Sequence, residues 1–417
     1  MRAPVVLLGT LVLLLSVAPP TLAAPRQGHQ GLQGGWAVDD GGHLNFPHSL
    51  RSELPFIQQG GAGVLRLNFR LGACFADWTS AGCAGADGAN ALAVYDSLVN
   101  EAINTYHLKV IGLISNEAWQ GDQTQWTANN AELNVSGTGD NAYIQNFGTN
   151  AAGVLASHFA GRIATWEVWN EPNAYTATGP VAGEFSGGSF IYPSNFAWLL
   201  KRSYAAIKAA EPGTSSTVIS GGLLGTDVGG ATVTLVQPNG ARQTVTKKSG
   251  SGIPTANAGT TCASSVPSGG DYLCNTYRMG QQEAGWSAGA YPLDSVGQHL
   301  YIDQGGVTSS SKIASYLQDL RGAYLAFEGN RTAKKTEITE FGWVANPGDT
   351  GYQTEASNQA SNVQIAYSTF RGTSYVLRAD YFVAQDVPEG NVFYGLVQGD
   401  GVTYKPAFGA YQRYASY

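Results

Sequence analysis

The chain has 417 residues, with 23 Lys and Arg against 30 Asp and Glu and a formal net charge of −7. Charged residues make up only 13%, about half the usual share, so the clustered base that phosphate binding needs is missing and a nucleic-acid partner is disfavoured. With 43% hydrophobic residues the chain can bury a large core, which excludes a disordered tail.

The first element in chain order is an address label. Met1-Arg2 gives a short basic start, and Val5 to Val17 is almost wholly apolar. Pro19-Pro20 breaks that run, and small residues near Ala23 suit cleavage. The run is too short for a comfortable membrane span, so residues 1–23 read as a secretory signal peptide and the remainder as a secreted, extracellular protein. No later apolar stretch reaches spanning length, so no membrane partner is expected after signal removal. Export permits disulfides. Of three possible connectivities, the Gly- and Ser-rich surroundings favour Cys74–Cys83 and Cys262–Cys274 as local staples. Neither pair has metal-ligand spacing or a nearby histidine, so no metal is expected. Asn134-Val-Ser136 and Asn330-Arg-Thr332 are glycosylation sequons.

Strands and helices then alternate. Gly34–Val38 is a short candidate strand and Leu50–Gln59 a helix. Val64–Phe69 reads as a strand, and Ala89–Tyr106 carries apolar residues at helical spacing. Leu108–Ile114 is a near-continuous apolar run, as expected of a strand buried on both faces. Ala142–His158 reads as a helix, Ile163–Asn170 as a strand, and Ser194–Ala210 as a helix with Ser194 as N-cap. Thr217–Leu224, Leu293–Tyr301, Lys335–Phe341 and Ala379–Asp386 supply four more strands. Helices near 311–327, 356–371 and 406–415 complete the cycle.

Eight strands with intervening helices imply parallel pairing through right-handed crossovers, closed as a (β/α)8 TIM barrel. A doubly wound open sheet would show the same alternation, but no nucleotide-binding glycine motif comes after the first strand. Residues 24–417 therefore read as a single domain. Length alone suggests two or three, a prior that barrels overrun. Residues 225–290 exceed an ordinary βα loop and form an expected insertion after strand 5. Within it, Thr232–Val236 and Gln243–Thr246 flank Pro238-Asn239-Gly240, a strong hairpin signal. The insertion is either a solvated ornament or a wall of the cleft.

Two glutamates close strands. Glu171 lies in Trp166-Glu167-Val168-Trp169-Asn170-Glu171-Pro172-Asn173, where Pro172 should hold Glu171 extended. Glu340 lies in Thr336-Glu337-Ile338-Thr339-Glu340-Phe341-Gly342-Trp343. A lone strand-end glutamate is usually an ion-pair partner. Two of them, on strands 4 and 7 of one barrel, suggest paired carboxylates working on one bond.

These two runs resemble the acid/base and nucleophile signatures of the clan A glycoside hydrolases, families such as 39 and 5, and the resemblance spans about residues 34–415. It implies a TIM barrel and a retaining O-glycosyl hydrolase acting on β-linked oligo- or polysaccharide without a cofactor; with the leader peptide, the expectation is a secreted enzyme, as a monomer. On that resemblance Glu171 is the general acid/base and Glu340 the nucleophile. Asn170 matches the asparagine that binds the sugar 2-hydroxyl. Arg66 matches the strand-2 arginine that holds the nucleophile, though it could instead be a buried structural pair for Glu167. His299 and Tyr301 share one strand face and resemble the His-x-Tyr pair, with Tyr301 donating to Glu340; ordinary barrel packing is the alternative. Two positions depart from the pattern. Family 5 has a tryptophan at the end of strand 8, where this chain reads Phe382-Val383-Ala384-Gln385-Asp386, so Trp343 is expected to stand in beneath the sugar. Asn116 occupies a strand-3 position where some members have histidine.

Trp78, Trp119, Trp126 and Trp286 fall in presumed βα loops and suit stacking on sugar faces. Their dispersal favours an open groove and endo action, with polysaccharide degradation as the role. A serine esterase is disfavoured: Gly285-Trp286-Ser287-Ala288-Gly289 has the elbow spacing, but lacks a preceding strand and the required order of acid and histidine. A non-catalytic carbohydrate-binding barrel is the other alternative, against which the retention of both glutamates counts.

Overall fold

The computed structural model describes residues 37–39, 50–69, 91–116, 118–119, 132–134, 139–173, 175–176, 179–180, 191–211, 216–226, 232–236, 242–246 and 269–415. The expected leader over 1–23, the cysteines 74, 83 and 262, Trp78, Trp126 and the Asn239-Gly240 turn lie outside them. Cys274 is described and buried, so both expected disulfide pairs have at least one member outside the described residues.

Eight parallel strands close into a barrel. In chain order they are β1 (Ala37–Asp39), β2 (Val64–Asn68), β3 (Lys109–Ile114), β4 (Thr165–Asn170), β5 (Thr217–Thr226), β6 (Ser295–Tyr301), β7 (Lys335–Phe341) and β8 (Val376–Tyr381). Each pairs with its sequence neighbours, and β8 returns to β1 through Ala37↔Asp380. The helices are α1 (Leu50–Gly60), α2 (Ala91–Asn104), α3 over 142–158, α4 (Pro193–Ala210), α5 (Gly269–Gln282), α6 (Ser310–Glu328), α7 (Tyr352–Gly372) and α8 (Pro406–Ala415). The middle of α3, Phe147–Gly153, is π-helical. No helix among the described residues is long and apolar enough to cross a membrane.

Alternation along the strands separates two environments. Outward residues such as Trp166, Val168 and Phe69 join the large core between strands and helices. Gly112 on β3 makes room there, because a Cβ at that position would come within 2.3 Å of the Trp166 ring. Inward, Val64, Ile111 and Ile219 form a separate small cluster, and beside them the lining turns polar with Arg66 and Glu167.

Some expectations shift. The segment expected as an insertion over 225–290 contains α5, which packs between α4 and α6 as a regular barrel helix. The extra material is therefore shorter, starting after the end of β5 at Thr226. Its hairpin is present, with Thr232–Val236 antiparallel to Arg242–Thr246. Glu132–Asn134, from the segment after β3, adds a third, parallel strand. At α4 the N-cap is Tyr192 rather than Ser194, and Pro193 opens the helix. Proline is preorganised for that first helical position and has no N–H to leave unpaired. Ser194 is buried and donates to Glu283 Oε2 at 2.5 Å. Strand 8 begins and ends earlier than expected, because the run after Tyr381 leaves the barrel.

Candidate active site

Arg66 stands at the centre of the inward face. It projects from β2 at 1% exposure and engages acceptors from two other strands. Its Nε donates to Glu167 Oε2 at 2.6 Å, one Nη to Glu340 Oε1 at 2.7 Å, and the other Nη to Asn170 Oδ1 at 3.1 Å. The two expected roles of Arg66 therefore coexist: it pairs with Glu167 and also carries Glu340. Glu167 is completed by the Gly222 N–H, donated to Oε1 at 2.9 Å. A planar guanidinium suits this role because its fork can hold several oxygens in fixed directions.

Glu340 lies near the C-terminal end of β7 and is 7% exposed. Its second oxygen accepts from the Tyr301 hydroxyl at 2.6 Å. Glu171 comes directly after β4. It is not extended before Pro172 as expected: its φ is 45°, and Trp169 two residues earlier has φ 75°. Such left-handed backbone costs a non-glycine residue about 1–3 kcal/mol and persists only where surroundings impose it. Here Trp169 is fully buried, its ring set against Tyr143 and Phe147.

His299 joins the two carboxylates. Its Nδ1 is 2.9 Å from Glu171 Oε1 and 3.4 Å from Glu340 Oε2. One donor atom from each of Glu171, His299 and Glu340 lies within 4.8 Å of the others. His299 is fully buried, and burial alone would lower its pKa. The Glu340 charge, together with the hydrogen bond and charge of Glu171, outweighs both that and Arg66 and raises it. Gly222 permits this position, since a Cβ there would come within 2.0 Å of His299 Nε2.

Two glutamates and a histidine this close have the composition of a metal site. The donors are committed elsewhere: one Glu340 oxygen is held by a guanidinium and the other by a phenol. A cation between them would compete with the Tyr301 hydroxyl for one Glu340 oxygen and sit beside the Arg66 guanidinium on the other, setting two positive charges next to each other, so the arrangement fits a metal poorly.

The other expected residues divide. Asn170 reaches Arg66 through Oδ1, while its amide nitrogen makes no hydrogen bond among the described residues. Asn116 is buried just beyond β3. Trp343 is not a sugar platform. It is 2% exposed within the main core, and its indole N–H donates to the Ile302 carbonyl at 2.7 Å. Trp286 is likewise an anchor, buried with its ring edge-on to Tyr277 and Tyr291. Ser287 sits in an exposed turn between α5 and β6, on the opposite end of the barrel from the glutamates.

The aromatic border of the site comes from residues not expected there. Phe382 lies edge-on to Tyr301 at 6.0 Å, and Tyr394 lies 5.6 Å from both rings. Burial raises the Tyr394 phenol, and the charges of Glu171 and Glu340 add to that. Tyr394 comes from the segment after β8, where no periodic pattern marks it. Phe382 is legible in the sequence as part of the strand-8 counterpart.

The fold is a TIM barrel of eight parallel strands, and at its mouth two glutamates meet above a buried arginine. No family model and no curated protein matches the sequence, whereas solved structures do. A family 39 glycoside hydrolase from Bacteroides cellulosilyticus WH2 is similar at TM-score 0.51 and 14% identity, over 91% of this chain and 63% of that one. The chain thus spans less than two thirds of that enzyme. Native xylanase 10B from Thermotoga maritima is similar at TM-score 0.51 and 14% identity, over 91% and 94% of the two chains. A monomeric β-xylosidase from Caulobacter crescentus CB15 is similar at TM-score 0.51 and 15% identity, over 94% and 68%. These neighbours are clan A glycoside hydrolases of TIM-barrel fold, the fold class expected from the sequence.

Proposed function

We propose that the protein is a secreted, retaining glycoside hydrolase that cleaves a β-linked glycan by double displacement. The observation that carries this reading is the approach of Glu171 and Glu340 to within 4.8 Å. Retention needs carboxyl groups about 5–5.5 Å apart, too close to admit the water that inversion requires. In the first step a Glu340 oxygen bonds to the anomeric carbon while the glycosidic C–O bond breaks, and Glu171 gives its proton to the departing oxygen. In the second, Glu171 takes a proton from water, whose oxygen displaces Glu340 and restores both carboxyl groups.

The surroundings of the two glutamates support the roles in this order. Glu340 is oriented by Arg66 and Tyr301, as a nucleophile must be. Glu171 is more exposed, its side chain at 20%, and its Oε2 makes no hydrogen bond among the described residues, which suits proton delivery to a leaving group. The amide nitrogen of Asn170 is available to a sugar 2-hydroxyl. Phe382 and Tyr394 offer the apolar wall that Trp343 does not. We read the enzyme as endo-acting, with an open groove. The neighbours' names, xylanase and β-xylosidase, put xylan first in a substrate panel.

The test is Glu340→Ala assayed on an activated aryl β-glycoside. Turnover should be abolished, and added azide should rescue it as the inverted glycosyl azide. Rescue with retained configuration would exchange the two glutamates' roles. Sugar binding without hydrolysis by the wild type, across a broad glycan panel, would make the protein a carbohydrate-binding barrel.

A further inference from the structure

Beneath the glutamates lies a polar pair that the double displacement does not use. His299 Nε2 and Thr339 Oγ1 are both buried, and neither has a hydrogen-bond partner among the described residues. They come from adjacent strands, β6 and β7, and both point at the α-carbon of Gly222 on β5. A Cβ built there would stand 2.0 Å from His299 Nε2 and 2.6 Å from Thr339 Oγ1. Two unpaired polar atoms converging on one glycine are costly where each is alone. The cost vanishes if they serve each other, by a small rotation of Thr339 about χ1 or through one bridging water.

We propose that Thr339 is a positioning residue whose hydroxyl holds the Nε2 side of His299 and so keeps a proton on Nδ1 between Glu171 and Glu340. The two edges of the ring meet different partners. Nδ1 meets Glu171 Oε1 and Glu340 Oε2, at 2.9 and 3.4 Å; ionised Glu340 only accepts, and Glu171 Oε1 accepts whether the Glu171 proton is absent or rests on Oε2, so a hydrogen on Nδ1 satisfies both. In the neutral ring Nε2 is then an acceptor and needs a donor. A threonine hydroxyl can donate to it, and can turn to accept when the ring is protonated. Apart from the His299 ring itself, Thr339 Oγ1 is the nearest atom to a Cβ built at Gly222. The charged groups acting on His299 are Glu340, Glu171 and Arg66, and the two glutamates meet it at Nδ1. The Nδ1–H therefore stays in place whichever state Glu171 is in, and Glu171 Oε1 is held while Oε2 is left to deliver the proton. This role deepens the hydrolase reading and rests on it.

Thr339→Val keeps the shape and removes the hydroxyl, and Thr339→Ser keeps the hydroxyl. The first readout needs no activity: long-range 1H–15N correlation of the imidazoles in 15N-labelled protein. Above its titration, wild-type His299 should be the Nδ1–H tautomer with a hydrogen-bonded Nε2. Thr339→Val should move Nε2 towards the free lone-pair shift and lower the His299 titration by about half a pH unit or more, because a hydrogen bond to the charged ring is worth more than one to the neutral ring. The second readout is the pH profile of kcat/KM. Its alkaline limb, which reports loss of the Glu171 proton, should move to higher pH in Thr339→Val, because a weaker Nδ1–H donor stabilises the Glu171 carboxylate less, with kcat falling about tenfold and KM little changed, and Thr339→Ser should restore both. An Nε2–H tautomer in the wild type overturns the proposal even if Thr339→Val does not fold. Unchanged shifts and an unchanged profile in Thr339→Val overturn it too, whatever happens to stability. If no substrate is ever turned over, the hydrolase reading fails while the spectra still decide the role of Thr339.

Discussion

Arg66→Met tests the centre of the site most directly. Methionine approximates the length of arginine but carries no charge, so the change isolates electrostatics from packing. Arg66 is 1% exposed, and Glu167 beside it is fully buried. After substitution Glu167 keeps the Gly222 N–H, and Glu340 keeps Tyr301 and the more distant His299, but both lose their guanidinium. Removing one partner of a buried pair costs about 3–5 kcal/mol, because the other charge is left uncompensated. Applied once, since Glu340 has some access to solvent, this predicts a fall in melting temperature on the order of 5–10 °C for a chain of this size. The double variant Arg66→Met/Glu167→Gln removes the stranded charge and should recover about half of that loss, a non-additivity read in a double-mutant cycle. Activity should not recover, because Glu340 still lacks its guanidinium; kcat should stay at least about a hundredfold down in both variants. Calorimetry and single-substrate kinetics measure the two arms. Additive stability effects, or a melting shift in Arg66→Met of under about 2 °C, would refute the claim that Arg66 neutralises a buried Glu167.

Three further outcomes are expected. Tyr301→Phe removes the 2.6 Å hydrogen bond to Glu340 and should lower kcat by about 10- to 100-fold, as loss of a charge-assisted bond in a closed site does, with stability nearly unchanged. Gly222→Ala sets a methyl into the His299 ring edge and should cost about 1–3 kcal/mol in a denaturant titration while displacing His299 from Glu171, so activity should fall more than for Tyr301→Phe. Asp319 on α6 is pushed up by burial to about 6. Its folded pKa exceeds its unfolded one, so the stability it contributes is full below about pH 4 and is lost as pH rises to about 6. Asp319→Asn should therefore raise the melting temperature at pH 7 and leave it unchanged at pH 4. Partial solvent exposure keeps the gain below about 1 kcal/mol.

Much of the barrel is legible in the sequence because its strands are buried on both faces. Leu108–Ile114 and Lys335–Phe341 are apolar or β-branched runs of strand length, and the structure places strands there within a residue. The helix over 269–282 does carry buried residues at helical spacing, Tyr272, Leu273, Thr276 and Tyr277, but glycine-rich sequence before it and Gly269, Gly270 and Gly280 within it mask that pattern. Trp343 misleads for a related reason. An indole three residues past a strand-end glutamate can turn to either side, and here a carbonyl acceptor at Ile302 and the Phe341 ring draw it into the core. Tyr394 belongs to a segment without periodicity, so only the folded geometry brings it beside the carboxylates.

The site itself depends on departures from alternation that no period-two pattern contains. Glu167 and Asn170 are three apart on β4, and in a regular strand they would face opposite sides. Both nevertheless reach Arg66, because the left-handed turn of the backbone at Trp169 resets the facing of Asn170 and carries Glu171 towards His299. On β7 the same happens with Glu337 and Glu340. Arg378 from β8 bonds Glu337, Arg66 bonds Glu340, and the pairing of β7 with β8 slips between Ile338 and Phe341. Each slip moves one carboxylate from the lining of the barrel to its mouth while a second stays below as a charge partner. The strand-end motifs are thus visible as sequence, but their convergence is a property of two local irregularities. Those irregularities are held by the packing of Trp169 against Tyr143 and Phe147 and by the arginines that receive the carboxylates. A change that restored regular alternation at Trp169 would leave the barrel closed and its two glutamates apart.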